Sequence, residues 1–138
     1  MLGLLLAATV GSARGWIAGR PWQAGDDRTR RLLTAAVDLQ LLLGLVLYGG
    51  FSPYTRAGSD DMAAAMTDRA LRFWTVEHGP TMLVAVALVH LGGILVRRTP
   101  TPRARHRRAA SFGLATLLVL AAIPWPFLPY GRGLLSTL

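Results

Sequence analysis

Arg72-Phe-Trp-Thr-Val-Glu77-His78-Gly-Pro-Thr-Met-Leu-Val-Ala-Val-Ala-Leu-Val-His90-Leu-Gly-Gly-Ile-Leu-Val96 decides how the rest of the chain is read. As a helix, the part after Arg72 spans roughly 36 Å, enough to cross a hydrocarbon core of about 30 Å. It opens with aromatic residues, runs into Arg97-Arg98 and holds His78 and His90, two of the three histidines. This is the pattern of a membrane span with an aromatic belt at one end and a basic stop at the other.

Working outward, three further apolar runs surround it. Residues 1–18 form the first, short because Arg14 interrupts it unless that side chain reaches back to the interface. A cleavable leader is the rival reading of this run; it lacks a basic start and a small-x-small cleavage site. Residues 32–50 form a second span and residues 109–128 a last one, closed by Pro124 and Pro126. With residues 73–96, the expectation is an all-α integral membrane protein. It is a single domain over residues 1–138, a four-transmembrane-helix up-down bundle with short antiparallel connections. Between spans two and three, Met62 to Leu71 predict a short surface helix capped by Asp60 or Asp61.

Composition agrees. Hydrophobic residues make up 52 % of the chain, and mean hydropathy is +0.39. The apolar residues come in blocks rather than alternating. Cysteine is absent, which removes disulfides, thiolate metal sites and thiol chemistry. The net charge of +8 comes from 15 basic residues, all arginine, most of them in two blocks between apolar runs. Blocks of that kind suit loops against anionic lipid headgroups, not nucleic acid. The first and third connections are strongly positive and the second is not. The positive-inside rule then puts both termini on the non-cytoplasmic side, with a bacterial inner membrane as the expected location.

Four sets of residues bear on function. Asp38 and Gln40 lie inside the second span, where an ionisable group is costly unless paired. Asp38 and His90 each sit about seven residues from the cytoplasmic end of their helices. Antiparallel packing puts them at one level, roughly 10 Å in, and predicts an intramembrane Asp38–His90 pair. A proton relay would use the same pair, so a small proton-coupled transporter is one reading.

Arg72, Glu77 and His78, with Arg69 nearby, form a polar cluster at the outer rim, suited to a headgroup, a quinone carbonyl or a partner's loop. Gly11, Gly15 and Gly19 fall on one helix face, and Gly92 with Gly93 allow close approach of a neighbour. His78 and His90 are about 18 Å apart along one helix and about 120° apart around it. They cannot share a metal or one haem, and Met82, the other axial candidate, sits on the same helix. No phosphate-binding glycine loop, catalytic triad or paired-carboxylate motif is present, so no catalytic residue is assigned.

Four strings carry a resemblance: Val37-Asp-Leu-Gln-Leu-Leu-Leu-Gly-Leu-Val-Leu-Tyr48, Leu71-Arg-Phe-Trp-Thr-Val-Glu-His78, Val89-His-Leu-Gly92 and Ala122-Ile-Pro-Trp-Pro-Phe127. In that order the chain resembles small four-helix bacterial membrane proteins often labelled cytochrome b-like. The resemblance implies a four-helix membrane bundle and makes His78 the candidate ligand of a haem b. The chain departs from the pattern at its start, where a His-x-Gly-Leu-Arg-Trp-like string would supply a second histidine. The preferred reading is therefore a non-catalytic accessory or scaffolding subunit, packed against a larger membrane complex of respiratory or photosynthetic electron transfer. The alternative is a b-type haem-binding or quinone-site subunit.

Overall fold

The structure is a computed structural model and describes residues 1–96 and 101–131; Arg97, Arg98 and Arg132 lie outside them. It is all-helical. Four long helices carry the fold: α1 (Leu2–Ile17), α2 (Ala24–Val46), α6 (His78–Val96) and α7 (Pro102–Ala122). Between α2 and α6 stand three short ones: α3 (Pro53–Asp60), α4 (Met62–Thr67) and α5 (Arg69–Arg72). The long helices pack in a ring in which α1 touches α2 and α7, and α6 touches α2 and α7. Each neighbouring pair is antiparallel, as the cross-contacts show: Thr9 meets Thr116 while Gly15 meets Arg108, and Tyr48 meets Thr75 while Asp38 meets His90.

The core is a small set of aliphatic side chains around one ring. Leu5, Leu33, Val37, Ala85, Val89, Phe112, Ala115 and Val119 are buried together. Phe112 is completely buried because Gly92 makes room for it; a Cβ there would stand 2.9 Å from the ring. Gly93 faces the arginine side of the same seam, where a Cβ would lie 3.6 Å from the Arg30 stem.

Among the described residues two helical stretches, Ala24–Phe51 and Arg69–Leu95, are long and apolar enough to cross a membrane; α1, with 16 residues, is shorter. All four long helices nonetheless keep apolar side chains outward, among them Leu6, Val10, Leu42, Leu83, Ile94, Leu114 and Leu117.

The helix boundaries correct several expectations. The second helix begins at Ala24, not residue 32, and its N-cap is Gln23. Asp26 is the third helical residue, and its carboxylate accepts the Gln23 backbone N–H in a capping box. The last helix begins at Pro102, with Thr101 capping it through the Ala104 N–H, so Arg103 to Arg108 and His106 are helical rather than loop. It ends at Ala122, because Pro124 cannot donate and restricts Ile123 to the extended backbone seen there. The surface helix expected over Met62 to Leu71 starts at Met62 with Asp61 as its cap, but breaks at Asp68, which caps α5; α3, capped by Ser52, precedes it and was not expected. Gly19, grouped with the packing glycines, lies past the end of α1 at φ +65°, with nothing near a Cβ. There glycine serves the turn into Arg20-Pro21.

Two π-helical turns occur, Leu47–Phe51 and Phe73–Glu77. The second contains the Val76 carbonyl, four residues before Pro80. Pro80 has no N–H to return to that carbonyl, and a wider turn is one way for a helix to absorb the missing bond. The first ends at Ser52, whose extended backbone opens a new helix at Pro53. Pro80 lies within a helical run continuous from Arg69.

Candidate functional site

The polar groups gather at three places: one on the outer wall and one at each end of the bundle. On the wall between α2 and α6, His90 Nε2 lies 2.8 Å from Asp38 Oδ1. With the carboxylate ionised, Asp38 can only accept, and His90 would then donate from Nε2. Both side chains are close to half exposed, at 43 % and 48 %. The pair opens outward and does not line the core. Around it the exposed face of α2 is mostly hydrocarbon: Leu39, Leu42, Leu43, Leu45 and Val46 are all exposed, as is Leu47 just beyond it. Of this helix only Leu33 and Val37 are buried. Gln40, on the same helix, is exposed.

At the end that carries α3 to α5, the rim cluster divides. Arg72 Nε donates to Glu77 Oε1 at 2.7 Å, and Arg72 Nη1 reaches the Met66 carbonyl. His78 turns away from both. Its Nδ1 donates to the Ala122 carbonyl at 3.0 Å, since a carbonyl cannot donate in return. Its ring sits 5.5 Å from Phe73 and 5.3 Å from Trp74, and Phe73 stacks on Tyr130. Tyr48, donating to the Thr75 carbonyl at 2.5 Å, ties α2 into the same corner. Fixing Nδ1 on a carbonyl leaves Nε2 with a lone pair, the arrangement metal-bound imidazoles use to hold their tautomer. Met82 stands on the same helix one turn deeper, and among the described residues no group of three or more His, Asp or Glu side chains converges.

At the opposite end, arginines and acids pair off. Arg20 Nη2 donates to both oxygens of Asp26, at 2.9 and 2.7 Å. Arg30 and Arg31 both reach Asp27. Arg108 is different. Only 6 % exposed, it lies with its guanidinium 4.4 Å over the Trp22 ring and against Gly15, where a Cβ would stand 3.0 Å from Nη2. Burial pushes this guanidinium below its ordinary range, opposed by the nearby Asp26 carboxylate. One turn outward, Arg105 Nη1 donates to the Gly19 carbonyl at 3.1 Å. His106 meets Trp16 edge to face.

Arg108 was not singled out by the sequence reading, though a signal existed. The buried stripe Phe112, Ala115, Val119 and Ala122, carried back one turn at helical spacing, lands on Arg108. Thr9, 3.1 Å from the Phe112 carbonyl and 2.8 Å from Thr116 Oγ1, was passed over as well.

Comparison with family models, with curated proteins and with solved structures found no match.

Proposed function

We propose that this chain is a non-catalytic integral membrane subunit, crossing the bilayer four times and packed through the outward face of α2 against a larger membrane protein. The observation that carries this reading is the half-exposed Asp38–His90 pair set in an apolar wall. In contact with lipid, two ionisable groups about 10 Å below the interface are expensive even when bonded to each other. Against a protein neighbour the remaining polar valences of the pair find partners, and the leucines around it find a packing surface. The four-span reading is supported by the outward apolar side chains on all four long helices, which in water would form patches of the kind monomeric proteins avoid. The resemblance of the quoted strings names an electron-transfer complex as the host to look for.

Photocrosslinking tests the reading. A photoreactive residue at Leu42 or Leu45, in the native membrane, captures a defined membrane protein, and the yield falls when His90 is changed to Phe. Crosslinks to lipid alone at both positions would sink the subunit reading.

A second reading is favoured by one observation, the His78 Nδ1 bond to Ala122. It leaves Nε2 ready to serve as an axial ligand, and a bound haem would supply one-electron chemistry. Absorption spectra of oxidised and reduced protein decide it: a Soret band lost in His78→Ala supports a b-type cytochrome, and a colourless preparation removes it.

A further inference from the structure

Among the described residues five buried side-chain atoms lack a hydrogen-bond partner, and four of them are Ser12 Oγ, Trp22 Nε1, Arg105 Nε and Arg108 Nε. All four carry a proton to donate. Such atoms are rare in folded proteins because each costs what its hydration was worth. Arg105 and Arg108 stand one turn apart on α7, and the Trp22 ring lies under the Arg108 guanidinium. Ser12 is completely buried, one turn before the glycine that faces Arg108.

The acceptors nearby are already occupied. Asp26 is held by Arg20 and by the Gln23 N–H, and Asp27 takes Arg30 and Arg31. Among the described residues no ion pair engages Arg105 or Arg108. Both are nevertheless held in place, Arg108 between Trp22 and Gly15, and Arg105 by the Gly19 carbonyl. Ordered donors without acceptors, in a region of excess positive charge, match a compact anion with several acceptor oxygens.

We propose that Arg105 and Arg108, with Trp22 and Ser12, form a binding site for a phosphate group, carried by an anionic phospholipid headgroup or free in solution. The position suits the first source. Trp16 and Trp22 mark this end as an interface, and the helices that meet there are the ones whose apolar faces turn outward. The site rests on the bilayer reading above and is independent of any protein partner. A chain recovered without the membrane removes that reading, whereas a membrane-embedded chain without headgroup preference removes only this one.

Native mass spectrometry of the whole chain in a zwitterionic detergent tests it. Phosphatidylglycerol and phosphatidylcholine of the same acyl length are titrated separately, then phosphatidylglycerol against inorganic phosphate. The expected result is retention of phosphatidylglycerol at concentrations where phosphatidylcholine gives none. Loss of one charge-assisted bond predicts roughly ten- to a hundredfold weaker retention in Arg108→Gln and Arg105→Gln. Arg56→Gln, an exposed arginine at the other end, leaves it unchanged. Displacement by millimolar inorganic phosphate upholds the site and assigns it to the free anion; resistance to displacement assigns it to the lipid. If Arg108→Gln does not fold, as circular dichroism will show, Arg105→Gln and Trp22→Phe decide. The latter keeps a ring beneath Arg108 and deletes the N–H. Equal retention of the two lipids, or unchanged retention in the folded variants, overturns the proposal.

Discussion

At the scale of single residues, the Asp38–His90 pair and the Gly92–Phe112 contact make opposite demands on a substitution. Removing one member of a bonded pair strands the other, whereas removing both by apolar groups of similar shape does not. His90→Phe alone, which leaves a carboxylate without its donor, is therefore expected to cost more stability than the double change Asp38→Leu with His90→Phe. The coupling is expected at about 0.5–1.5 kcal/mol, because both groups are half exposed. Thermal unfolding in detergent of the two single variants and the double variant measures it, and strict additivity would remove the energetic link. Gly92 is a packing matter. A Cβ there meets the ring of a fully buried phenylalanine at 2.9 Å, so Gly92→Ala is expected to destabilise by about 1–3 kcal/mol. The same change at Gly93 meets only the flexible stem of Arg30 at 3.6 Å and should be nearly silent. Phe112→Leu in the Gly92→Ala background should recover part of the loss; no recovery would place the strain elsewhere.

At the scale of elements, periodicity and stop signals carried much of the information. The run from Phe73 to Val96 announced a long apolar helix, and Pro124 announced the end of α7 close to where it falls. What could not be read was how far helices extend into polar sequence. Arg28, Arg30 and Arg31, and the run from Arg103 to Arg108, look like loop by charge. They are helical because Gln23 and Thr101 supply caps upstream of them, and Gly25 and Pro102 fall in the first turn, where a helix tolerates them. The shared depth of Asp38 and His90 was legible by counting residues from the basic ends. The burial of Arg108 was not, since a charged residue is assigned outward until its helical phase is known. A consequence can be measured at Thr101. Its side chain accepts the Ala104 N–H, so Thr101→Ala should cost about 1 kcal/mol and fray the first turn of α7. Faster amide exchange confined to residues 103–105 is the expected result, and unchanged exchange there would show that the arginine contacts alone hold that turn.

At the scale of the whole molecule, the two ends of the bundle differ in kind, and the difference sets an orientation. One end holds the paired and unpaired arginines of α1, α2 and α7; the other holds α3 to α5, whose caps are Ser52, Asp61 and Asp68. If the four long helices cross the bilayer, the arginine end faces the cytoplasm and the short helices face away from it. The absence of cysteine makes this testable without background. Ser59 and Ala63 are exposed at one end, and Gln23 and His106 at the other. In cells with a permeabilised outer membrane, an impermeant maleimide is expected to label Ser59→Cys and Ala63→Cys. Gln23→Cys and His106→Cys should label only after the inner membrane is opened. The reverse pattern would invert the topology and move the proposed phosphate site to the outside. Labelling of all four in intact cells would mean that the chain does not cross the membrane as a four-helix unit. Because α3 to α5 sit between α2 and α6, the same data also count crossings. Ser59 and Gln23 on opposite sides require that α2 spans, and Ala63 opposite His106 requires that α6 spans, which are the two helices long and apolar enough to do so.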